Sequence, residues 1–452
     1  MRERSLSEIA ARVAGRHEGP DATVRGVATD SREVGPGDLF VALVGERTDG
    51  HRFVDEAVAG GATGALVSTA TPDVPCVLVR DTGEALLSLA NSEREEMQAT
   101  VVGITGSTGK TSVKDLVSSA LSSRFEVSAS PRSFNTEVGV PVTLLNAPPA
   151  AEVVVVEMGS RGPGHVATLC RVARPDVGVV TGVGLAHMEM FGTLEAVADA
   201  KAELVEALDE DGTAVLNADD LVVRGFAERT RAEVVLYGVS DGAQVRGEDV
   251  VLDALGRPSF TLRAPGGEER VELPLSGEHM VSNALAATAV GVALGLSVGE
   301  CATGLKDARL SPWRMEVFEG TGGIRIVNDS YNANPTSMAA ALKTSRWMAK
   351  DTRSIAILGE MAELGDHGPV EHERVGELVA RLGIDHLIVV GRGAAAIAIG
   401  AEREGVEPER IARVDTVEEA VEEVRRLARR GDVVLLKGSR VAGLERVAEA
   451  LR

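Results

Sequence analysis

Cysteine is scarce in this 452-residue chain. The three cysteines, Cys76, Cys170 and Cys301, lie far apart and form no CxxC pair. That excludes a zinc ribbon or a disulfide framework and fits a reducing compartment. Aromatic residues make up only 3% of the chain, and the formal net charge is −21. A dedicated nucleic-acid binder needs a basic footprint and stacking aromatics, so the composition argues against nucleic acid as a partner. No uncharged apolar run approaches the ~20 residues of a membrane span. The opening stretch MRERSLSEIAARVAG is charged and reads as a short amphipathic helix, without a signal-peptide core. A soluble, cytoplasmic, monomeric protein with no membrane insertion is therefore expected. Lysine is the last scarcity. Only Lys110, Lys114, Lys201, Lys306, Lys343, Lys350 and Lys437 occur among the 47 basic residues. Codon bias in a GC-rich genome exchanges Lys for Arg wherever only charge matters. Where lysine survives, the question is whether the chemistry needs an amine.

At 44% hydrophobic and 25% charged, the chain can build sizeable cores. Its length suggests three domains of ~150 residues. Residues 1–97 hold short β-type runs, LFVAL and GALVS, around a helical DEAVAGG, and end in the helical linker EALLSLANSEREEMQA. This reads as a small N-terminal α/β domain. At Thr100 the character changes. TVVGIT, AEVVVVE, DVGVVTGVG, TAVLNADD and EVVLYG are buried strands alternating with helices. They predict a central parallel sheet covered on both faces, over 98–311. Residues 241–275 alternate apolar and polar side chains between Gly-Pro and Gly-Gly turns, which predicts antiparallel hairpins. The run HMVSNALAATAVGVALG predicts a helix closing this domain. From 312 to 452, IRIVN, SIAIL, DHLIVV and DVVLLK predict a smaller, doubly wound, Rossmann-like domain. The fold class is thus α/β in three domains, the central one of P-loop ATPase type.

The strongest single motif is Thr105-Gly106-Ser107-Thr108-Gly109-Lys110-Thr111, between a strand and a helix. Glycines let backbone approach phosphates, and N–H groups at the helix start supply donors and a positive dipole. Lys110 can reach terminal phosphates, and the Thr111 hydroxyl can ligate Mg²⁺. The spacing GxxxxGK[ST] is not met, because Ile104 stands where the first glycine belongs. The match is to a shorter form, TGxxGK[TS], with strand, loop, Lys-Thr and helix all in order. Phosphoryl transfer needs charge neutralisation more than covalent chemistry. Metal ligands should then stand at nearby strand ends. Glu157 ends the run VVVVE and is one candidate. His187, in GLAHMEMFG, is the other; position alone leaves a structural histidine equally open.

TGSTGKT, FNTEVGVP (134–141), VVVVEMG (153–159), GVGLAHMEMFGT (182–193), DAKAEL (199–204) and HMVSNALAA (279–287) together resemble the Mur ligases of peptidoglycan synthesis. NDSYNANPTS (328–337), LGEMAELG (358–365), KGSR (437–440) and TDSR (29–32) extend the resemblance over nearly the whole chain. Within that family they resemble the members that add D-alanyl-D-alanine to a UDP-N-acetylmuramoyl-tripeptide. A DNPR motif, typical of members that add the third amino acid, is missing. The resemblance implies an ATP-dependent amide ligase working through an acyl phosphate. It also implies the UDP-sugar on the first domain, ATP on the second and the dipeptide at the third. A P-loop nucleotide switch is the reading from a different class, but a switch has no need of TDSR or of the Glu157, His187 and Lys201 set.

The resemblance also implies roles residue by residue. Gly106, Ser107, Thr108, Gly109, Lys110, Thr111 and Ser112 would hold the ATP phosphates. Thr111, Glu157 and His187 would serve Mg²⁺. Lys201 matches a lysine that reacts with CO₂ to form a carbamate, which arginine could not do. Asn283 would contact adenine, and Arg314 and Asp329 would touch ATP from the third domain. Trp313 stands where a glycine usually precedes that arginine. Ser31, Arg32, Asn135 and Thr136 match uridine-nucleotide contacts. Arg161 would take a substrate carboxylate or phosphate, with a structural ion pair as the alternative. Tyr331, Asn332 and Asn334 fall on the acceptor or ATP side. Glu360, Lys437, Ser439 and Arg440 are acceptor-side candidates at predicted strand ends, where such domains bind ligands.

Overall fold

The computed structural model describes residues 1–45, 48–71, 73–131 and 133–452. Three sheets follow one another along the chain, with a two-stranded ribbon (Arg4–Ser5 with Thr23–Val24) beside the first. The first sheet orders its strands Arg16–Glu18, Cys76–Leu78, Gly64–Val67, Asp38–Val41 and Gly26–Ala28. All pairs are parallel except the one made by Arg16–Glu18. The helix Leu6–Arg12 starts where Ser5 and Glu8 form a reciprocal cap. DEAVAGG contributes the helix Val54–Ala59, and the linker contributes the helix Thr82–Glu96, capped by Asp81.

The second sheet has nine strands. Its parallel part runs Val127–Ala129, Val153–Glu157, Thr100–Thr105, Val177–Val180, Thr213–Asn217, Glu233–Gly238 and Val245–Leu252. Pro258–Ala264 and Gly267–Glu272 then extend it as antiparallel hairpins. The hairpins expected over 241–275 are present, and their first strand also prolongs the parallel sheet. Thr100–Thr105 lies between the later strands Val153–Glu157 and Val177–Val180. The chain therefore leaves to opposite sides there, which opens a crevice at the carboxyl end of that strand. A second helix, Val298–Leu305, follows Met280–Ala293 before the third unit.

The third sheet orders Glu316–Gly320, Ile324–Asn328, Val433–Lys437, Ser354–Leu358, His386–Val390 and Ile411–Val414. Sequence patterning predicts four of these six. The two it misses, Glu316–Gly320 and Ile411–Val414, are the edges. They carry Glu316, Glu319 and Arg413 and are only part-buried, so they lack the continuous apolar run of a central strand. The three-residue edge Val127–Ala129 escapes for the same reason. Among the described residues no helix is long and apolar enough to cross a membrane.

Candidate active site

The run TVVGIT is buried along almost its whole length and forms a central strand. Gly106, at φ +143°, turns the chain out of it. A Cβ there would lie 2.0 Å from Thr181 Oγ1, so only glycine lets the loop pass this close to the neighbouring strand. Gly109 sits in the left-handed region and starts the helix Lys110–Leu121. Thr181 donates its hydroxyl to Thr108 O at 2.5 Å, and Ser107 donates to Gly184 O at 3.0 Å. The loop is thus fixed from the adjacent strand end.

Around it lies a cavity of about 690 Å³, walled by the second and third units. This is within the usual range for small-molecule sites. Lys110 Nζ donates to Gly106 O at 2.6 Å. Burial lowers its amine below the usual lysine value, while Glu157 acts in the opposite sense. Glu157 is buried at its strand end. It accepts hydrogen bonds from Thr111 Oγ1 at 2.6 Å and from Asn135 Nδ2 at 2.9 Å. From the third unit, Arg314 donates to Thr111 Oγ1 at 2.7 Å and to Ser133 Oγ at 3.0 Å. Its guanidinium stacks on Tyr331, 4.3 Å from the ring centre. Arg314 Nε is buried with no hydrogen-bond partner among the described residues. A buried, unpaired cationic donor is costly unless something anionic meets it.

The remaining wall comes from the third sheet. Lys437 is buried and donates to Asp329 Oδ2 at 2.5 Å and to Asn332 O at 2.9 Å. Asn334 caps the helix Pro335–Met348 and reaches back to donate to Ser107 O at 3.3 Å. Arg440 stacks on Trp313 at 4.3 Å and pairs with Glu445. Trp313 and Met315 both have positive φ, +62° and +51°. The loop on both sides of Arg314 thus takes the conformation a glycine would favour, with bulky side chains in it.

The Mur ligase middle domain matches residues 104–291, the Mur ligase glutamate ligase domain 313–440, and the Mur ligase family catalytic domain 23–102. The UDP-N-acetylmuramoyl-tripeptide–D-alanyl-D-alanine ligase of Mycobacterium tuberculosis is 40% identical, over 94% of this chain and 91% of its own length. The chain belongs to the Mur ligase family. Its fold matches a crystal structure of MurF from Acinetobacter baumannii with a TM-score of 0.88, at 29% identity, over 99% of this chain and 98% of the other. A MurF ligase of Thermotoga maritima in complex with ADP matches with a TM-score of 0.80, at 31% identity, over 94% and 97%.

Other residues expected from the family resemblance stand as follows. Ser107, Thr108, Gly109, Lys110, Thr111, Ser112, Asn135, Thr136, Glu157, Arg161, His187, Asn283, Arg314, Asp329, Tyr331, Asn332, Asn334, Lys437, Ser439 and Arg440 all line the cavity. Gly106, at the start of the phosphate loop, is not in the lining. Lys201 is 1% exposed and donates to Ser160 Oγ at 2.5 Å; Ser160 itself lines the cavity. Burial first, and the nearby Lys110 second, push its amine well below the ordinary lysine value. Ser31 and Arg32 do not line the cavity. They form a short turn on the first unit, where Arg32 pairs with Asp30. Glu360 is also outside the lining; its carboxylate packs over Gly393 and its carbonyl accepts from Ser439 N at 2.8 Å.

Sequence reasoning missed Glu363, Ser133, Ser160 and Thr181. Glu363 lies in the same LGEMAELG motif as Glu360, and it is the one whose carboxylate reaches the cavity, where it pairs with His187. The hydrogen bond from His187 holds that carboxyl below its usual range. Only the turn geometry of the motif distinguishes the two glutamates.

Proposed function

We propose that this chain is an ATP-dependent amide ligase that joins D-alanyl-D-alanine to UDP-N-acetylmuramoyl-tripeptide in peptidoglycan precursor synthesis. The observation that carries this is one cavity lined mostly by polar residues, with a phosphate loop on one wall and cations of the third unit, Arg314 and Lys437, on the other. Full-length relatives with this named activity support it. The proposed division of labour is UDP-sugar binding by 1–97, ATP binding by 98–311 and dipeptide binding by 312–452. Cytoplasmic location and a monomeric state belong to the same reading.

A carboxylate is a poor electrophile at neutral pH. The tripeptide's terminal carboxylate oxygen attacks the γ-phosphorus of ATP. The bond to the bridging oxygen breaks, ADP leaves and an acyl phosphate forms. The dipeptide amine then attacks the acyl carbon, forming the C–N bond. The C–O bond to phosphate breaks, and the amine's surplus proton leaves. Lys110, the loop N–H groups and Arg314 hold the negative groups against their mutual repulsion. Arg314 does so from the third unit, so this grip requires that unit to be seated. Asn283 holds adenine, and Asn135, Thr136 and Arg161 hold the nucleotide-peptide.

Among the described residues, no three His, Cys, Asp or Glu side chains converge as a metal cage. The oxygen donors of Glu157 and Thr111, side by side, suit Mg²⁺, which binds through few carboxylates and otherwise keeps water and substrate phosphates. Glu157, Thr111 and His187 would hold it, and when bound it supplies charge neutralisation. Lys201 fits the carbamate reading. A neutral amine is the nucleophile toward CO₂, and burial beside Lys110 favours the neutral form. Carbamylation joins amine nitrogen to CO₂ carbon and releases a proton, which turns a buried neutral amine into an anion. Lys201→Ala should abolish turnover, and small carboxylates should restore part of it. Full activity without them would remove the carbamate from the account.

The test of the function is an amine panel. Purified protein with the tripeptide nucleotide, ATP and Mg²⁺ should release phosphate with D-alanyl-D-alanine and not with lysine or diaminopimelate. The reverse pattern would make it a different amide ligase. ATP turnover independent of the nucleotide-peptide would make it a switch.

A further inference from the structure

His187 and Glu363 face each other from different units. His187 follows a strand of the central sheet, and Glu363 lies in the loop after Ser354–Leu358 of the third. Glu363 pairs through its carboxylate with His187 Nδ1. The contact is more than one ion pair. Glu189 N donates to Glu363 O at 3.2 Å. Gly365 lies so close to the same turn that a Cβ there would stand 3.1 Å from Glu189 Cα. The loop is braced from behind, because Ala362 N donates to Ser439 Oγ at 2.9 Å. His187 and Glu363 both hold positive φ, +55° and +63°. Non-glycine residues keep that conformation where surrounding contacts over-determine it.

A histidine that binds a metal through one ring nitrogen usually donates its other N–H to a carboxylate, a backbone carbonyl or water. That partner fixes the tautomer and the ring orientation. Glu363 engages Nδ1, and Nε2 has no hydrogen-bond partner among the described residues. His187 lines the cavity. We propose that Glu363 is the positioning carboxylate of His187, carried by the third unit, so that the metal site is complete only when that unit is seated. The proposal rests on His187 being a metal ligand, as read above. Metal binding and domain closure then share one equilibrium. Closure tightens the metal, and by linkage the metal favours closure to the same degree. The mechanism thereby gains an order: the cation that neutralises the phosphates is held tightly only after the third unit has arrived.

Mn²⁺ is the probe, with its free concentration read by electron paramagnetic resonance on the full chain saturated with ADP. Glu363→Ala should weaken Mn²⁺ binding by about 10- to 100-fold. Glu363→Gln should lie between, since its amide oxygen still accepts from Nδ1. In the His187→Ala background, Glu363→Ala should have no further effect, because its action passes through the missing ring. Small-angle scattering should find wild-type chain more compact with Mn²⁺ than without, and Glu363→Ala unchanged by it. Wild-type affinity in Glu363→Ala, alongside weak binding in His187→Ala, would overturn the proposal and leave the ligand reading standing. Wild-type affinity in both would overturn the ligand reading itself. Additive losses in the double variant would mean that Glu363 acts by another route, which also defeats the proposal.

Discussion

The two junctions between units of this molecule are built differently. Between the first and second, the helix Thr82–Glu96 buries Leu86, Leu89 and Ala90 in one cluster with Val101, Leu144 and Val154. Arg94 donates to Ala173 O at 2.8 Å and pairs with Asp176 at 2.9 Å. Asn146 places its amide against the edge strand Gly26–Ala28, accepting from Val27 N and donating to Val27 O, both at 2.8 Å. One side chain thus acts as a short additional strand and closes the edge. Between the second and third, a ligand-sized cavity lined mostly by polar residues stands in the middle of the joint. The bonds that cross it include the side-chain contacts Arg314 to Thr111, Asn334 to Ser107, Glu363 to His187, and Trp347 Nε1 to Asp253 O at 2.8 Å, with one backbone bond from Glu189 N to Glu363 O at 3.2 Å. Apolar side chains of the second and third units also share one cluster, which includes Met280, Leu285, Met338 and Leu342, but here the joint is interrupted by the cavity, and polar contacts over a cavity exchange readily for water. The first junction is built as a fixed joint and the second as a closing one.

Substitutions separate the two. Arg314→Ala removes a crossing donor and a cavity-lining charge. Turnover should fall by about 10²- to 10³-fold with the unfolding midpoint unchanged. If it instead unfolds the chain, the second junction is structural and the contrast fails. Asn146→Ala should do the opposite. It leaves the N–H and C=O of Val27 without partners, which costs about 1–3 kcal/mol in denaturant unfolding while kcat holds. Trp313→Gly is the smallest expected effect on that scale. It relieves a left-handed backbone worth about 1–2 kcal/mol and loses the Arg440 stacking, about 0.5–1 kcal/mol. A slight net stabilisation is expected, read by the same unfolding experiment.

Lys201 adds a pH test. Its folded pKa lies well below its unfolded value of 10.5. Between those values the unfolded chain binds one more proton than the native one. Stability therefore rises with pH across that window. In CO₂-free buffer, Lys201→Met should stabilise the chain at pH 7, and the gain should shrink as pH approaches 10. A gain independent of pH would mean the amine is not buried neutral.

The central strands were legible because VVVVE, VGVV and VVLLK are continuous apolar runs that only a doubly covered sheet can bury. The edge strands were not, since their half-exposed pattern resembles a loop. The phosphate loop was legible because glycine, lysine and threonine recur at fixed offsets. Glu363 was not, because choosing it over Glu360 depends on which way one turn faces. Lysine scarcity proved a useful filter. Lys110, Lys201 and Lys437 stand in or just behind the cavity wall. Lys114 is buried too, but it donates to Ser130 O and pairs with Asp115, so its amine serves the fold. Trp313, odd in the sequence as a replacement for glycine, is odd in the structure for a physical reason, its positive φ.

The most direct test of the account follows one oxygen atom. The tripeptide nucleotide is prepared with ¹⁸O in both oxygens of its terminal carboxylate and turned over with ATP, Mg²⁺ and D-alanyl-D-alanine. An acyl phosphate predicts one ¹⁸O in each phosphate released and one in the new amide. Unlabelled phosphate, with amide formed, would contradict it.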